Sequence, residues 1–499
     1  MNRQAWRVIV ICLALLLTGC ASVGPNYQRP VLEAPAQWAE SQEKSGAALA
    51  LEEIAWWQAF DDPVLDSLIE QAAKTNLDLE QARARILQAR ADVTKAGAAF
   101  LPKVEATASV TRSQGGTSAI TTGTGSQGGT GTITSGGAAP QSLITAAGTI
   151  FQAGFDASWE IDVFGGTRRS VEAARARLKA SVEDLQSTLL TLLGDVAKNY
   201  IDLRANQAQR EITRRNVETQ QQTVEVTRER FRLGLITYLD VVQAEAQKAS
   251  TESNLPTYEA NIKQSIHRLG ILLGKEPNAL KTELAAIRPL PSSRGVMATG
   301  LPSDLLARRP DLRQVERKLA AASADIGVAK AELYPKFDLT GTLGLQGNNV
   351  SKFMNFSSGR YWSLIPGVTW NLFDGGKARA TVKNKQAVYE ENLAKYRSSF
   401  LSALEDVENS LAAYYAEQTK RRILDESVRA NQEAVTLAKE RYRKGLTNFL
   451  DVLTTENSLY TAQSNLSKSE ANLLTDLISL YKALGGGWDA ADVRVARVF

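Results

Sequence analysis

Glu229-Arg230-Phe231-Arg232-Leu233-Gly234-Leu235-Ile236-Thr237-Tyr238-Leu239-Asp240-Val241-Val242 returns later in the chain as Glu440-Arg441-Tyr442-Arg443-Lys444-Gly445-Leu446-Thr447-Asn448-Phe449-Leu450-Asp451-Val452-Leu453. The spacing is constant, so Gly234 matches Gly445 and Asp240 matches Asp451. Upstream, Phe164-Gly165-Gly166 echoes Asp374-Gly375-Gly376, and Leu101-Pro102-Lys103 echoes Tyr334-Pro335-Lys336. Because the order is kept, one unit has been used twice. In each copy the glycine sits where a helix stops and the chain reverses into a second helix.

The flanks of the two turns set the architecture. Apolar residues fall at Leu178, Val182, Leu185, Leu189, Leu192 and Val196 before the first turn. Before the second they fall at Leu393, Phe400, Leu404, Val407, Leu411 and Tyr414. Steps of three, four or seven mark a narrow coiled-coil seam. Such a thin stripe needs long helical neighbours to cover it. Residues 167–232 contain no proline, so a single helix of roughly 100 Å is expected there.

Between the helices the period changes to two. Phe151, Ala153, Phe155, Ala157, Trp159, Ile161 and Val163 alternate with Gln152, Gly154, Asp156, Ser158, Glu160 and Asp162. Val104, Ala106, Ala108 and Val110 line one face of another strand. Phe337, Leu339, Leu343 and Leu345 line a third, and Trp362, Leu364, Val368, Trp370 and Leu372 a fourth. Strands are expected at about 104–112, 150–163, 336–346 and 361–373. Their length and one-sided apolar character suit an outer-membrane barrel, although a soluble sheet with one wet face has the same pattern. Four strands cannot close a barrel, since the smallest membrane barrels have about eight. An open edge is not tolerated in lipid, so the count implies an oligomer without choosing its order. The uncharged Gly/Ser/Thr-rich stretch 113–148 and the shorter 347–360 read as surface loops at the barrel mouth.

The amino terminus, MNRQAWRVIVICLALLLTGC, has a basic start at Arg3 and Arg7, an apolar run from Val8 to Leu17, and Leu17-Thr18-Gly19-Cys20. The run is signal-peptide length and too short to span a bilayer. The last four residues resemble a bacterial lipobox, which implies cleavage before Cys20 and acylation of that cysteine. Ala21 resembles lipoproteins sorted to the outer membrane. Several acyl chains anchor firmly where one does not. Cys12 would leave with the signal, so neither a disulfide nor a thiolate metal site is expected.

Charge is nearly balanced, with 58 basic and 54 acidic residues, which gives no bulk case for nucleic acid. The one histidine, His267, lies outside any nucleophile or metal pattern, and no cofactor loop is present, so an enzyme is not expected. Asp374-Gly375-Gly376-Lys377 lacks P-loop spacing and reads as a strand-to-helix turn. Pro310 and Asp311 suit a first helical turn, with Arg308 and Arg309 read as surface residues beside it.

Taken together these features resemble the outer membrane factor family, the TolC-like and NodT-like efflux lipoproteins, over nearly the whole mature chain. The specific marks are Cys20 with Gly24-Pro25-Asn26-Tyr27, then Trp56-Trp57, Phe60 and Asp62-Pro63. They continue with Leu301-Pro302-Ser303-Asp304-Leu305-Leu306, Arg308-Arg309-Pro310-Asp311-Leu312-Arg313 and both Arg-Phe/Tyr-x-x-Gly-Leu turns. The resemblance implies an α+β membrane protein. As a homotrimer it would share a 12-stranded barrel joined to a 12-helix periplasmic α-barrel through a mixed equatorial region. The organisation is then a signal peptide at 1–19, a lipidated and equatorial segment at 20–75, a first repeat at 76–274 and an equatorial linker at 275–303. A second repeat at 304–485 and a tail at 486–499 complete it, with hairpin tips near 234 and 445.

The implied role is an outer-membrane duct for small toxic compounds, working with a periplasmic adaptor and an inner-membrane pump, with no cofactor beyond the lipid. A type I protein-secretion duct uses the same fold, and a poreless periplasmic coiled-coil scaffold is the reading from another class. Asp451 matches a position ringing the closed tip, where converging carboxylates attract cations. Thr454 stands where a second acidic ring can occur. Asp240 and Tyr442 match a carboxylate–hydroxyl latch, which lacks its arginine because position 447 is threonine; helix capping is the plainer role for both aspartates. Gly234-Leu235 and Gly445-Leu446 are the candidate adaptor contacts. Glu105, Asp156, Glu160, Asp162 and Asp338 on the polar strand face point to a cation-preferring pore. The cargo is not readable from the chain, and scarce His, Met and Cys give no support for a soft-metal conduit.

Overall fold

The computed structural model describes residues 22–40, 55–113, 148–292 and 308–486. Cys20, the Leu301–Leu306 motif, most of the Gly/Ser/Thr-rich loop and nearly all of the C-terminal tail lie outside the described residues. The described parts divide into two compact units. One draws on residues 1–26, 93–172 and 324–386, and the other on 27–92, 173–323 and 387–499.

A 3-10 turn at Trp56–Phe60 leads into α1 (Pro63–Thr75) and α2 (Leu77–Ala98), then β1 (Lys103–Ser113) and β2 (Gly148–Ile161). The first long helix, α3 (Gly166–Arg232), returns through α4 (Tyr238–Glu252) and α5 (Leu255–Leu272), followed by the short α6 (Lys281–Leu284). The second repeat runs α7 (Pro310–Ala331), β3 (Lys336–Gly347), the short α8 (Val350–Met354) and α9 (Phe356–Gly359), and β4 (Arg360–Thr369). It closes with α10 (Lys377–Arg443) and α11 (Phe449–Ala483). The two long helices are each 67 residues, or about 100 Å, the length expected for the first of them. Among the described residues no helix is long and apolar enough to cross a membrane.

The sheet unit is an antiparallel meander in the order β1-β2-β3-β4. Its register keeps every apolar set on one face: Val104, Ala157, Gly341 and Leu364 form one cross-strand row, and Ala106, Phe155, Leu343 and Trp362 the next. That face is open, with Phe155 58%, Leu364 61% and Trp362 76% exposed. A contiguous exposed apolar sheet face fits lipid and not water. On the polar face Gly154 and Gly344 stand opposite each other. Tyr361 lies over this pair, 3.2 and 3.0 Å from where their Cβ atoms would sit, and its hydroxyl accepts a 2.8 Å bond from Gln152.

β4 ends at Thr369, short of the expected 373, because Thr369 pairs with Lys336, the first residue of β3. Beyond it there is no partner, and Trp370, Leu372 and Phe373 run on exposed. β2 likewise ends at Ile161 opposite Phe337. Asp162 therefore leaves the strand face and caps α3 instead. Its carboxylate accepts from the N–H groups of Thr167 (3.1 Å) and Arg168 (3.0 Å) and pairs with the Arg168 side chain. Asp374 does the same for α10, accepting from Gly376 and Ala378 at 2.9 and 2.7 Å. Those N–H groups hold its carboxyl below the usual range.

The N-terminal strap is pinned to the same unit. Val23 N–H donates to the Phe164 carbonyl (3.0 Å), and Arg169 donates to the Val23 carbonyl (3.1 Å) and the Asn26 side chain (2.7 Å). Gly24 sits at φ 101 against Gly327, whose Cα is 2.5 Å from where a Cβ would fall. Only glycine fits this close approach.

The helical unit has its main core around the 3-10 turn and α1. Trp56, Phe60, Leu65, Leu68 and Ile69 pack with Leu193, Val196, Tyr200 and Ile201 of α3, Leu269 of α5, and Leu477 and Tyr481 of α11. Each fully buried large side chain contributes about 1.5–3 kcal/mol. The expected seam is present at Leu189, Leu192, Val196, Phe400, Val407, Leu411 and Tyr414, all buried, whereas Val182 is exposed. Asp62 caps α1 through Val64 and Leu65 and accepts a 2.5 Å bond from the buried Tyr200 hydroxyl. Burial, and then that bond, push the tyrosine up to about 12. Tyr200→Phe is expected to lower stability by about 1.5–3 kcal/mol, the range for a buried bond to a charged acceptor. Loss of helical circular dichroism on heating measures it, and an unchanged midpoint would rule out that contribution.

Arg309 is not a surface residue. Its side chain, 12% exposed, bridges Asp311 and Asp406 and donates to the Ala483 carbonyl at the end of α11 (3.2 Å). His267 is an ordinary helix residue bonded to Asn278 at 3.0 Å.

Candidate functional site

Both hairpin tips are built alike. Gly234 and Gly445 adopt φ 71 and 72, the left-handed conformation that ends a helix with least strain in glycine. Gly234 N–H donates to the Phe231 carbonyl and Leu235 N–H to the Arg230 carbonyl, at 2.8 and 2.9 Å. Gly445 and Leu446 do the same to Tyr442 and Arg441, at 3.0 and 2.9 Å. Two bonds per turn satisfy carbonyls that the helix leaves orphaned and throw Leu235 and Leu446 outward, 62% and 64% exposed.

The aspartates behind the tips act on their own helices. Asp240 completes a capping box with Thr237, whose N–H and hydroxyl both reach its carboxylate, at 3.1 and 3.0 Å. Asp451 donates its N–H to the Asn448 side chain (3.1 Å), and its exposed carboxylate accepts from the Thr447 hydroxyl. Thr454 is exposed one turn on. Thr447, the residue that stands where an arginine was wanted, thus binds the tip carboxylate of its own turn.

Tyr442 is buried among Val224, Ala244, Phe449 and Val452, side chains of three other helices. Among the described residues its hydroxyl meets no partner at good hydrogen-bond geometry, and burial raises its pKa while the nearby Arg230 guanidinium opposes that. The expected bond from Tyr442 to Asp240 is not formed within the protomer; the Asp240 carboxylate accepts from Thr237 through Oδ2 instead. The residue that reaches Tyr442 is Arg230. Its guanidinium lies 4.4 Å from the ring centroid and donates to the Tyr442 carbonyl at 2.9 Å. Sequence reading missed Arg230, since both repeats carry arginine there and only the packing tells them apart.

On the sheet, four of the five expected pore-facing acids come together in two cross-strand pairs, Glu105 opposite Asp156 and Glu160 opposite Asp338. Like charges in direct opposition are unfavourable. Lys103 pairs with Glu105, Lys336 with Glu160 at 3.8 Å, and Thr107 donates to Asp156 at 2.9 Å. Among the described residues no group of His, Cys, Asp or Glu could hold a metal.

The family model described as outer membrane efflux protein matches residues 68–275 and 301–486, close to the two repeats. The chain is 33% identical over 95% of its length to nodulation protein T of Rhizobium leguminosarum bv. trifolii, covering 96% of that protein. It is 36% identical over 96% of its length to the pyoverdine export outer membrane protein OpmQ of Pseudomonas putida, covering 97% of it. The solved structure of the outer-membrane channel OprN superposes with a TM-score of 0.85 at 32% identity, covering 94% of this chain and all of that one. Likeness to a channel over the full length favours the duct over the poreless scaffold. By sequence, by fold and by its duplicated hairpin turns, the chain belongs to the outer membrane efflux protein family and is an outer-membrane efflux channel.

Proposed function

We propose that three copies of the chain close one twelve-stranded barrel and gather twelve helix positions into a tunnel. In this reading an inner-membrane pump and a periplasmic adaptor hand small organic compounds to the duct for export. The observation that carries it is the open sheet: among the described residues, four strands, an apolar face exposed, and β1 and β4 left as edges. Lipid forbids such edges, so copies must pair them, and multiples of four below twelve reach only the minimum for closure. The pyoverdine exporter among the relatives supports a small-molecule cargo.

Lipidation at Cys20 fits the strap. Ser22 packs against Gly165, four residues past the end of β2. Phe164 stacks on Tyr334 with centroids 4.7 Å apart and lies near Phe337, an aromatic group of the kind found at membrane interfaces. Acyl chains on Cys20 would enter the bilayer beside the sheet's end. Glu105, Asp156, Glu160 and Asp338 give the barrel lumen a cation preference. Asp451, with Asp240, Thr454 and Tyr442 behind it, forms the gate. The outward leucines at 235 and 446, each beside its glycine, dock the adaptor.

Photo-crosslinking from position 446 in living cells tests the docking role. The expected product is a single periplasmic adaptor with its pump recovered alongside. Failure to capture an adaptor, at normal outer-membrane levels of the protein, would remove the tip assignment.

A further inference from the structure

We infer that Arg230 is the tie that holds the two hairpins of a protomer together at the tip, through the ring and main-chain carbonyl of Tyr442 rather than through its hydroxyl. The inference rests on the gated-duct reading and assigns its intraprotomer tie to one of two arginines that the repeats carry at the same place, which packing alone tells apart.

Three observations carry it. Arg230 belongs to the last turn of α3 and Tyr442 to the last turn of α10, so the contact joins the two long helices at their ends. The guanidinium makes both a 2.9 Å bond to the carbonyl and a 4.4 Å approach to the ring of one residue. The Tyr442 carbonyl is also the acceptor for Gly445 N–H, so it is one of the helix-end carbonyls that carry the negative pole of α10. A cation supplied by the other hairpin therefore completes this helix end. Moving α10 away from α3 uncaps the helix and strips the ring of its cation in one step.

The alternatives at the tip are already engaged. Asp240 is held by Thr237 and Asp451 by Thr447 within their own turns. Arg228 is paired with Glu245, and Arg232 with Glu229. Lys439 binds Glu456 one step further from the tip at 2.7 Å. The repeat equivalents do not reproduce the contact: Arg441 is exposed, and Phe231, the counterpart of Tyr442, packs on Tyr238 at 5.5 Å.

The test is the conductance of the purified trimer in planar bilayers, with entry of a large antibiotic into pump-deficient cells as a second readout. Arg230→Ala is expected to raise the open fraction about tenfold, the factor that matches loss of a partly desolvated cation–π contact. Arg230→Lys, which keeps a donor and a weaker cation, should fall between. Tyr442→Phe keeps ring and carbonyl and should stay closed. A Tyr442→Phe protein as leaky as Arg230→Ala would overturn the tie and restore the hydroxyl latch. A tightly closed Arg230→Ala trimer would overturn it as well. Should Arg230→Ala fail to assemble, Arg230→Lys and Tyr442→Phe decide: leak from the first alone supports the tie, and any other result overturns it. A wild-type protein that never conducts in any condition would sink the duct reading itself, and the tie with it.

Discussion

Leu364→Arg will remove most of the assembled protein from the outer membrane, while Thr342→Arg will not. The two residues lie near the middle of neighbouring strands and face opposite sides of the sheet. Leu364 stands in the row Val104, Ala157, Gly341, and Thr342 stands between Asp156 and Ser363. A lipid-facing arginine near the bilayer midplane costs about 2–4 kcal/mol, and a trimer would carry three. On the polar face an arginine meets water and the carboxylates of Asp156 and Glu105, so its effect is confined to ion preference. Heat-modifiable trimer on gels of outer-membrane fractions measures the first, and reversal potential in bilayers the second. Equal tolerance of both arginines would mean that neither face meets lipid, and the barrel would have to be abandoned.

Gly344→Val is expected to block assembly almost as completely, for a different reason. Gly344 has an ordinary strand conformation, so its requirement is for space. A Cβ there would lie 2.5 Å from the Ala153 carbonyl oxygen and 2.8 Å from the Gly154 Cα, with the Tyr361 ring closing the third side at 3.0 Å. Two of those neighbours are backbone, held by the ladder on both sides, and cannot yield as a flexible side chain would. Overpacking of this kind costs about 1–3 kcal/mol where side chains can shift, and more is expected where they cannot. Gly341→Val is the control, since its nearest neighbour is the Leu364 side chain at 3.6 Å. Trimer yield near wild type for Gly344→Val would show that β2 and β3 can move apart and that the Tyr361 cover is dispensable.

Much of this was legible because it depends on local chemistry. The glycines at 234 and 445 announce helix ends, an unbroken 66-residue stretch without proline announces a long helix, and a two-residue period announces strands. What stayed hidden depends on a distant partner. Asp162 reads as one more polar strand position until the start of β3 ends the pairing at Ile161, and then it becomes a helix cap. Arg309 follows another arginine and precedes a proline, so nothing local says that Asp406 and the last turn of α11 enclose it. The latch at Asp240 and Tyr442 was carried over from resemblance. Within the protomer it does not form; the Asp240 carboxylate accepts instead from Thr237, three residues past the tip glycine. Leu235 and Leu446 lie exposed on the turns, whereas Asp451 and Thr454 lie within the start of α11.

The two return limbs differ in a way the duplicated sequence conceals. α11 is continuous over 35 residues, whereas its counterpart is broken between α4 and α5 at Ser253 and Asn254, with Pro256 in the first turn that follows. Proline there supplies no N–H and the hydrogen-bond ladder is interrupted. In mechanical terms the second hairpin is a beam and the first is a beam with a joint. A load applied at the tips is carried along α11 as axial stress, while in the first hairpin bending is concentrated at the break between α4 and α5, near the middle of the return limb. Stiffness, and not only chemistry, has thus diverged between the two halves of one duplicated chain.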